Sequence, residues 1–292
     1  NNTKNTIPKF ASVPINKETS LRELVERNDR RFQGILYNFG FTEKDIDNLD
    51  VKGKSNDEIM EIIKTHYNNY IKSPDYTKYD RVDIRINQLY KLIGDNTGKT
   101  YLDYGCNDGS IGQGISKHFK MSYSCADVYD NPKRDKSAKF SLLNPDVAEL
   151  PFENNSFDLI TCFMVLHHVK KEILADVIKE LYRITAVNGL VVIREHNFVS
   201  GFTIEDVRNI DLQNMKIIFD ILHDIYVKID PENDDFGRDM GTSDCNYLSR
   251  DTWIELFEDA GFEFDLIKSN EVRFHIDKNP TNKSYMTFVK NK

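Results

Sequence analysis

Two stretches of this chain carry residue types at spacings that suit a nucleoside. The first is Tyr101-Leu-Asp-Tyr-Gly-Cys-Asn-Asp-Gly-Ser110. A strand ending around Asp103 runs through Gly105 and Gly109 into a helix. Glycines let backbone approach a ligand closely, and a helix amino terminus offers unpaired N–H groups to a carboxylate. The second is Tyr123–Val128, a strand that delivers Asp127 about 20 residues further on, where both hydroxyls of a ribose can donate to it. Asn107 stands where a further glycine is usual in such a turn, and Asn tolerates left-handed backbone better than most residues.

These residues need a parallel sheet to present them, and the chain predicts one from Lys99 onward. Strands are expected at Thr100–Tyr104, Tyr123–Val128, Phe140–Leu143, Phe157–Phe163 and Leu190–Glu195, with helices over Ser110–Phe119 and 170–186. Phe262–Lys268 and Tyr285–Lys290 are read as a closing antiparallel pair, preceded by a helix that Ser249 caps and Gly261 ends. A long amphipathic helix is expected over Thr203–Lys228, inside a helical insertion at about 201–248. Residues 1–98 form a helical extension: an arm to residue 19, a helix from Ser20 to near Gly40, a short helix from Thr42, another that Ser55 caps, and a fourth from Arg81.

The 292 residues, 39% hydrophobic and 29% charged, fit a globular protein with one large domain or one ordinary domain and a smaller one. No apolar run is long enough for a membrane span. The four cysteines are scattered without a C-x-x-C pair, so neither a zinc site nor a disulfide framework is expected, and a reducing, cytoplasmic setting is the simpler reading. A net charge of −8 argues against broad clamping of long nucleic acid but leaves room for a short basic groove. The chain opens Asn1-Asn2-Thr3-Lys4 without a methionine or a signal peptide, which reads as an excised piece of a longer polypeptide.

Asn144-Pro-Asp146-Val-Ala-Glu-Leu-Pro-Phe152 followed by Asn155-Ser-Phe-Asp158 resembles the D-A-x-x-L-P-F-x-x-x-S-F-D block of class I S-adenosylmethionine-dependent methyltransferases. A dehydrogenase reading fares badly, because the first turn lacks G-x-G-x-x-G. The resemblance implies a Rossmann-like, seven-stranded, mostly parallel α/β sheet with helices on both faces. It also implies S-adenosyl-L-methionine as cofactor and S-adenosyl-L-homocysteine as product. By it, Asp103, Gly105, Asn107 and Gly109 hold the methionine part and Asp127 with Val128 the ribose side. Asp146 and Val147 take the adenine, and Phe163 lies beside the sulfonium.

The acceptor is narrowed by exclusion. An Asp/Asn-Pro-Pro-aromatic motif is missing after the fourth strand, which reads Phe163-Met-Val-Leu-His-His168. No cysteine follows a proline, so the cytosine-C5 nucleophile is missing, as are a double-glutamate loop and a Lys-Asp-Lys-Glu set. Tyr67-Asn-Asn-Tyr-Ile-Lys-Ser73 resembles the F-N-N-W-I-K-S segment of mRNA cap guanine-N7 methyltransferases, including those of large DNA viruses. That resemblance implies Lys72 at the methionine carboxylate, with His167, His168 and Tyr285 at the guanine. Glu195 is expected to accept from guanine N1–H and N2–H₂, and Lys133 and Arg134 to meet the triphosphate. The expected partners are then the capped 5′ end of RNA and further capping domains in the same polypeptide, in the cytoplasm or a viral factory, with no metal and no membrane. Guanine N7 has a free lone pair at neutral pH, so alignment without a general base would suffice. The rival is a small-molecule methyltransferase, since the L-P-F…S-F-D block also resembles that of quinone- and sterol-modifying enzymes. A third reading is a catalytically silent subunit of the same fold.

Overall fold

The computed structural model describes residues 19–27, 32–33, 36–37, 39–74, 81–197, 246, 248–272 and 282–292. The expected helix at 203–228 and the acidic loop after it lie outside them. The chain divides into two compact units, one of residues 1–77, 201–243 and 275–280, the other of 78–200, 244–274 and 281–292.

In the first unit, α1 (Leu21–Glu26) is capped by Ser20, α2 (Glu43–Asp47) by Thr42 and α3 (Asn56–Tyr70) by Ser55. Thr42 with Asp45 and Ser55 with Glu58 form reciprocal capping boxes, each cap worth about 1 kcal/mol. The helix expected from Ser20 to Gly40 ends earlier, at Glu26, where Arg27 donates back to Glu23 and Val25. Leu24, Phe32, Leu36, Phe39, Ile59 and Ile63 build this unit's own core.

The second unit is a seven-stranded sheet in the order β3-β2-β1-β4-β5-β7-β6. Its strands are β1 (Thr100–Tyr104), β2 (Ser122–Asp127), β3 (Lys139–Leu142), β4 (Phe157–Phe163), β5 (Thr185–Asn197), β6 (Glu263–Val272) and β7 (Asn282–Val289). β1 to β5 pair in parallel, and β7 runs antiparallel between β5 and β6. This is the predicted fold class. β5 is longer than expected: it continues through Asn188 and Gly189 rather than starting after them, with Asn188 in left-handed backbone.

Helices cover both faces. α6 (Lys171–Ile184) lays Leu174, Val177, Ile178, Leu181 and Ile184 on one face of the sheet, at the helical spacing the sequence shows. α7 (Arg250–Asp259), capped by Ser249, buries Trp253 and Phe257 in the same core. On the other face, α4 (Arg81–Ile93) and α5 (Ser110–Phe119) pack Ile86, Leu89, Ile93, Ile115 and Phe119 around Tyr101. α4 therefore packs with the sheet unit, whose residues begin at Lys78.

Candidate active site

The carboxyl end of β1 turns at Gly105, which with φ of 78° lies in the left-handed region. Its N–H donates to the Ala126 carbonyl of β2 at 2.8 Å. Asn107 and Gly109 are left-handed too, at 48° and 74°, so the asparagine does adopt the backbone expected of it. Gly109 caps α5 with no side chain, and Asp108 before it accepts from the Ser110 N–H of the first turn at 3.0 Å.

Two aspartates hold this turn in different ways. Asp127, at the end of β2, accepts from Asn107 N–H at 2.8 Å through Oδ2 and from Tyr129 N–H at 3.2 Å through Oδ1. Asp103 lies deeper. Its carboxylate accepts from Thr161 Oγ1 at 2.9 Å and lies close against Gly112 in the first turn of α5. Burial pushes its pKa up to about 7, the Thr161 hydroxyl opposes that shift, and the nearby Asp127 charge adds to it. Asp103 thus braces the turn from beneath. Its hidden carboxylate is taken up by the protein's own groups.

Sequence reasoning missed Asn131. Its Nδ2 donates to Asn107 Oδ1 at 2.6 Å, so the loop after β2 buttresses the loop after β1. It also missed Val165, against which Gly105 sits so tightly that a Cβ on the glycine would fall within 2.6 Å of Val165 Cβ. No local pattern announces either contact.

Beyond β3, Val147 is 47% exposed, an apolar side chain at the surface. Asp146 beside it is exposed and paired with Lys170. Val128 packs at the edge of the core. Phe163 ends β4 and meets the Tyr285 ring edge-on, 5.6 Å between centroids.

Several side chains expected at the guanine and the triphosphate have partners inside the sheet unit. Glu195 is 0% exposed, and its carboxylate accepts from Val165 N–H at 3.2 Å and Leu166 N–H at 2.8 Å, and pairs with His167 Nδ1 at 2.6 Å. His167 is itself buried, in a short 3-10 turn over Leu166–His168, and only His168 of the pair is partly exposed. Tyr285 is buried, its hydroxyl donating to Gln88 of α4. Arg134 is 6% exposed, bound to Asp130 and to the Asp135 carbonyl, with its guanidinium 4.0 Å from the Phe140 ring centroid. Glu195, His167, Tyr285 and Arg134 are thus each bound to partners within the unit. Lys133 stays at the surface of the same loop. Lys72 is exposed just past the end of α3, in the helical unit.

A groove of about 1050 Å³ opens at the opposite edge, where Thr100, Ser122, Lys139 and Phe157 begin their strands. Its Arg183 is already bound to Glu180 and to the Leu150 and Phe152 carbonyls. Among the described residues, no group of His, Cys, Asp and Glu is placed to hold a metal ion, and no helix is long and apolar enough to cross a membrane.

Residues 78–267 match the family described as Methyltransferase domain, a span that starts at the boundary of the sheet unit. The chain belongs to this methyltransferase family. Among its relatives is a demethylmenaquinone methyltransferase of Staphylococcus haemolyticus, 25% identical over 181 residues. The match takes in 62% of this chain and 64% of that protein, so the chain spans just under two thirds of that relative's length. Its counterpart from Staphylococcus aureus is 26% identical over 202 residues, 63% of this chain and 80% of that protein.

Two solved structures share the fold. Phosphoethanolamine N-methyltransferase 2 of Haemonchus contortus, in complex with S-adenosyl-L-methionine, has a TM-score of 0.50 at 14% identity over 78% of this chain and 57% of that one. The YcgJ protein of Bacillus subtilis has a TM-score of 0.51 at 14% identity over 72% and 99%. The methyltransferase uses S-adenosyl-L-methionine, and the residues around the first turn fit it: the left-handed glycine backbone of Gly105 and Gly109 for close approach of the methionine part, Asp127 for a diol and the exposed Val147 for an aromatic ring.

Proposed function

We propose that this methyltransferase modifies a small planar acceptor of the quinol class, held against the turn after β4. The cofactor supplies an electrophilic methyl group on a sulfonium. Asp127 accepts from the ribose hydroxyls: a carboxylate takes up to about four hydrogen bonds, so a diol can join the two amides already there. The turn 105–109 and the amino terminus of α5 receive the methionine carboxylate. Val128 and Val147 flank the adenine, and Phe163 shields the sulfonium from water.

The observation that carries the acceptor class is the internal commitment of Glu195, Tyr285 and Arg134. With those three engaged, Phe163, Met164, Val165 and His168 form the partly exposed wall beyond the Gly105 turn, a surface suited to a flat, largely apolar ring. The relatives that carry the name demethylmenaquinone methyltransferase support the same class. A quinol's own hydroxyls make its ring electron-rich; the methyl carbon leaves sulfur for the acceptor, S-adenosyl-L-homocysteine is released, and the proton the acceptor gives up passes to water, so alignment is a main demand on the protein.

A second reading, transfer to guanine N7 of an mRNA cap, is favoured by one feature. The Tyr67–Ser73 segment, which resembles one of the cap guanine-N7 enzymes, closes α3 with Lys72 exposed. Labelled S-adenosyl-L-methionine offered with reduced demethylmenaquinone or with GpppG-capped RNA separates the two. Label in the quinol supports the proposal, and label in the RNA alone replaces it with the second reading.

A further inference from the structure

The turn after β4 is a junction of three parts of the sheet unit. Met164 adopts left-handed backbone with φ of 58°, and its N–H donates to the Arg194 carbonyl of β5 at 2.7 Å. Val165 packs on Gly105 in the cofactor turn. Asn246 donates its N–H to the His167 carbonyl at 2.7 Å and its side-chain amide to the Val169 carbonyl at 2.6 Å. Beneath all of this lies one buried carboxylate, that of Glu195, which takes two successive N–H groups and one imidazole nitrogen from the same turn.

We propose that Glu195 and His167 are a positioning couple that holds the 164–169 turn as the wall against which the methyl acceptor is aligned. The proposal rests on the methyltransferase reading above and deepens it. A strained turn persists only when its surroundings over-determine it, and here the determinant is a carboxylate rather than packing alone. Glu195 touches neither donor nor acceptor. It acts through the turn, so its removal disturbs alignment while Asp127 and the α5 amino terminus remain to bind the cofactor.

The test uses the full chain with Glu195→Gln and His167→Gln. The first substitution keeps the size of the side chain but offers His167 an amide where a carboxylate stood. We expect kcat to fall by about 100-fold, the scale of a small misplacement of reacting groups, with the dissociation constant for S-adenosylhomocysteine unchanged. Hydrogen exchange at the Val165 and Leu166 amides and the ¹⁵N spectrum of His167 supply a readout that needs no acceptor. Both should change in Glu195→Gln, with faster exchange and loss of the Nδ1–H tautomer. Unchanged exchange and tautomer would overturn the couple. So would a joint collapse of cofactor binding and thermal stability, which marks a plain structural brace. Failure of the wild type to methylate a quinol or capped RNA would count against the acceptor reading alone, because the exchange and tautomer results still decide the couple.

Discussion

Val165 rests directly on the backbone of Gly105, although 60 residues separate them along the chain, so the turn proposed for the cofactor and the turn proposed for the acceptor share one contact. Gly105→Ala drives a methyl group into Val165 at a position whose φ of 78° already disfavours a side chain. We expect a loss of about 1–3 kcal/mol in stability and a marked weakening of S-adenosylhomocysteine binding, read by thermal melting and calorimetry. Adding Val165→Ala should restore part of the stability, since it relieves the overlap but not the backbone strain.

Asp103 gives a pH signature. Its folded pKa is raised to about 7 by burial, against an ordinary value of 3.8. The folded chain therefore holds that proton more tightly than the unfolded chain does. The stability this contributes is complete below pH 3.8 and is lost as pH rises through about 7. Asp103→Asn should flatten the fall in melting temperature between pH 5 and 8. The difference from wild type should approach a few kcal/mol, because a tenfold change in proton affinity is worth about 1.4 kcal/mol. Parallel pH profiles for the two proteins would show that Asp103 does not titrate in this way.

Tyr285→Phe removes only the hydroxyl that donates to Gln88. A loss of about 0.5–1.5 kcal/mol in stability is expected, the net worth of one hydrogen bond, since Gln88 Oε1 still accepts from Arg85, with kcat and KM unchanged for whichever acceptor is used. A rise in KM for capped RNA at unchanged stability would return Tyr285 to the acceptor site.

Much of this was legible in the residues because the constraints are local. The strand, the Gly105 and Gly109 turn and the first turn of α5 follow one another directly, and Asp127 comes at the end of the next strand, so type and spacing suffice. The fates of Glu195, Arg134 and Tyr285 were not legible. A carboxylate or guanidinium looks the same in sequence whether it faces a ligand or a buried backbone amide, and Tyr285 finds its partner 197 positions away. The place of α4 was not legible for a related reason. The stripe Ile86, Leu89, Ile93 shows that α4 has an apolar face without showing that the face meets a sheet. The end of α1 and the early start of β5 differ from expectation because each depends on chain-end hydrogen bonds and neighbouring strands rather than on periodicity.

The central claim is that Asp127 and the turn it fixes hold the cofactor. Calorimetry with S-adenosylhomocysteine on the wild type and on Asp127→Asn tests it most directly, with circular dichroism to show that both are folded. The wild type should bind, and the variant should bind about 100-fold more weakly, as loss of charge-assisted hydrogen bonds to a diol requires. Equal binding by the two proteins, or no heat from the wild type, would contradict the account.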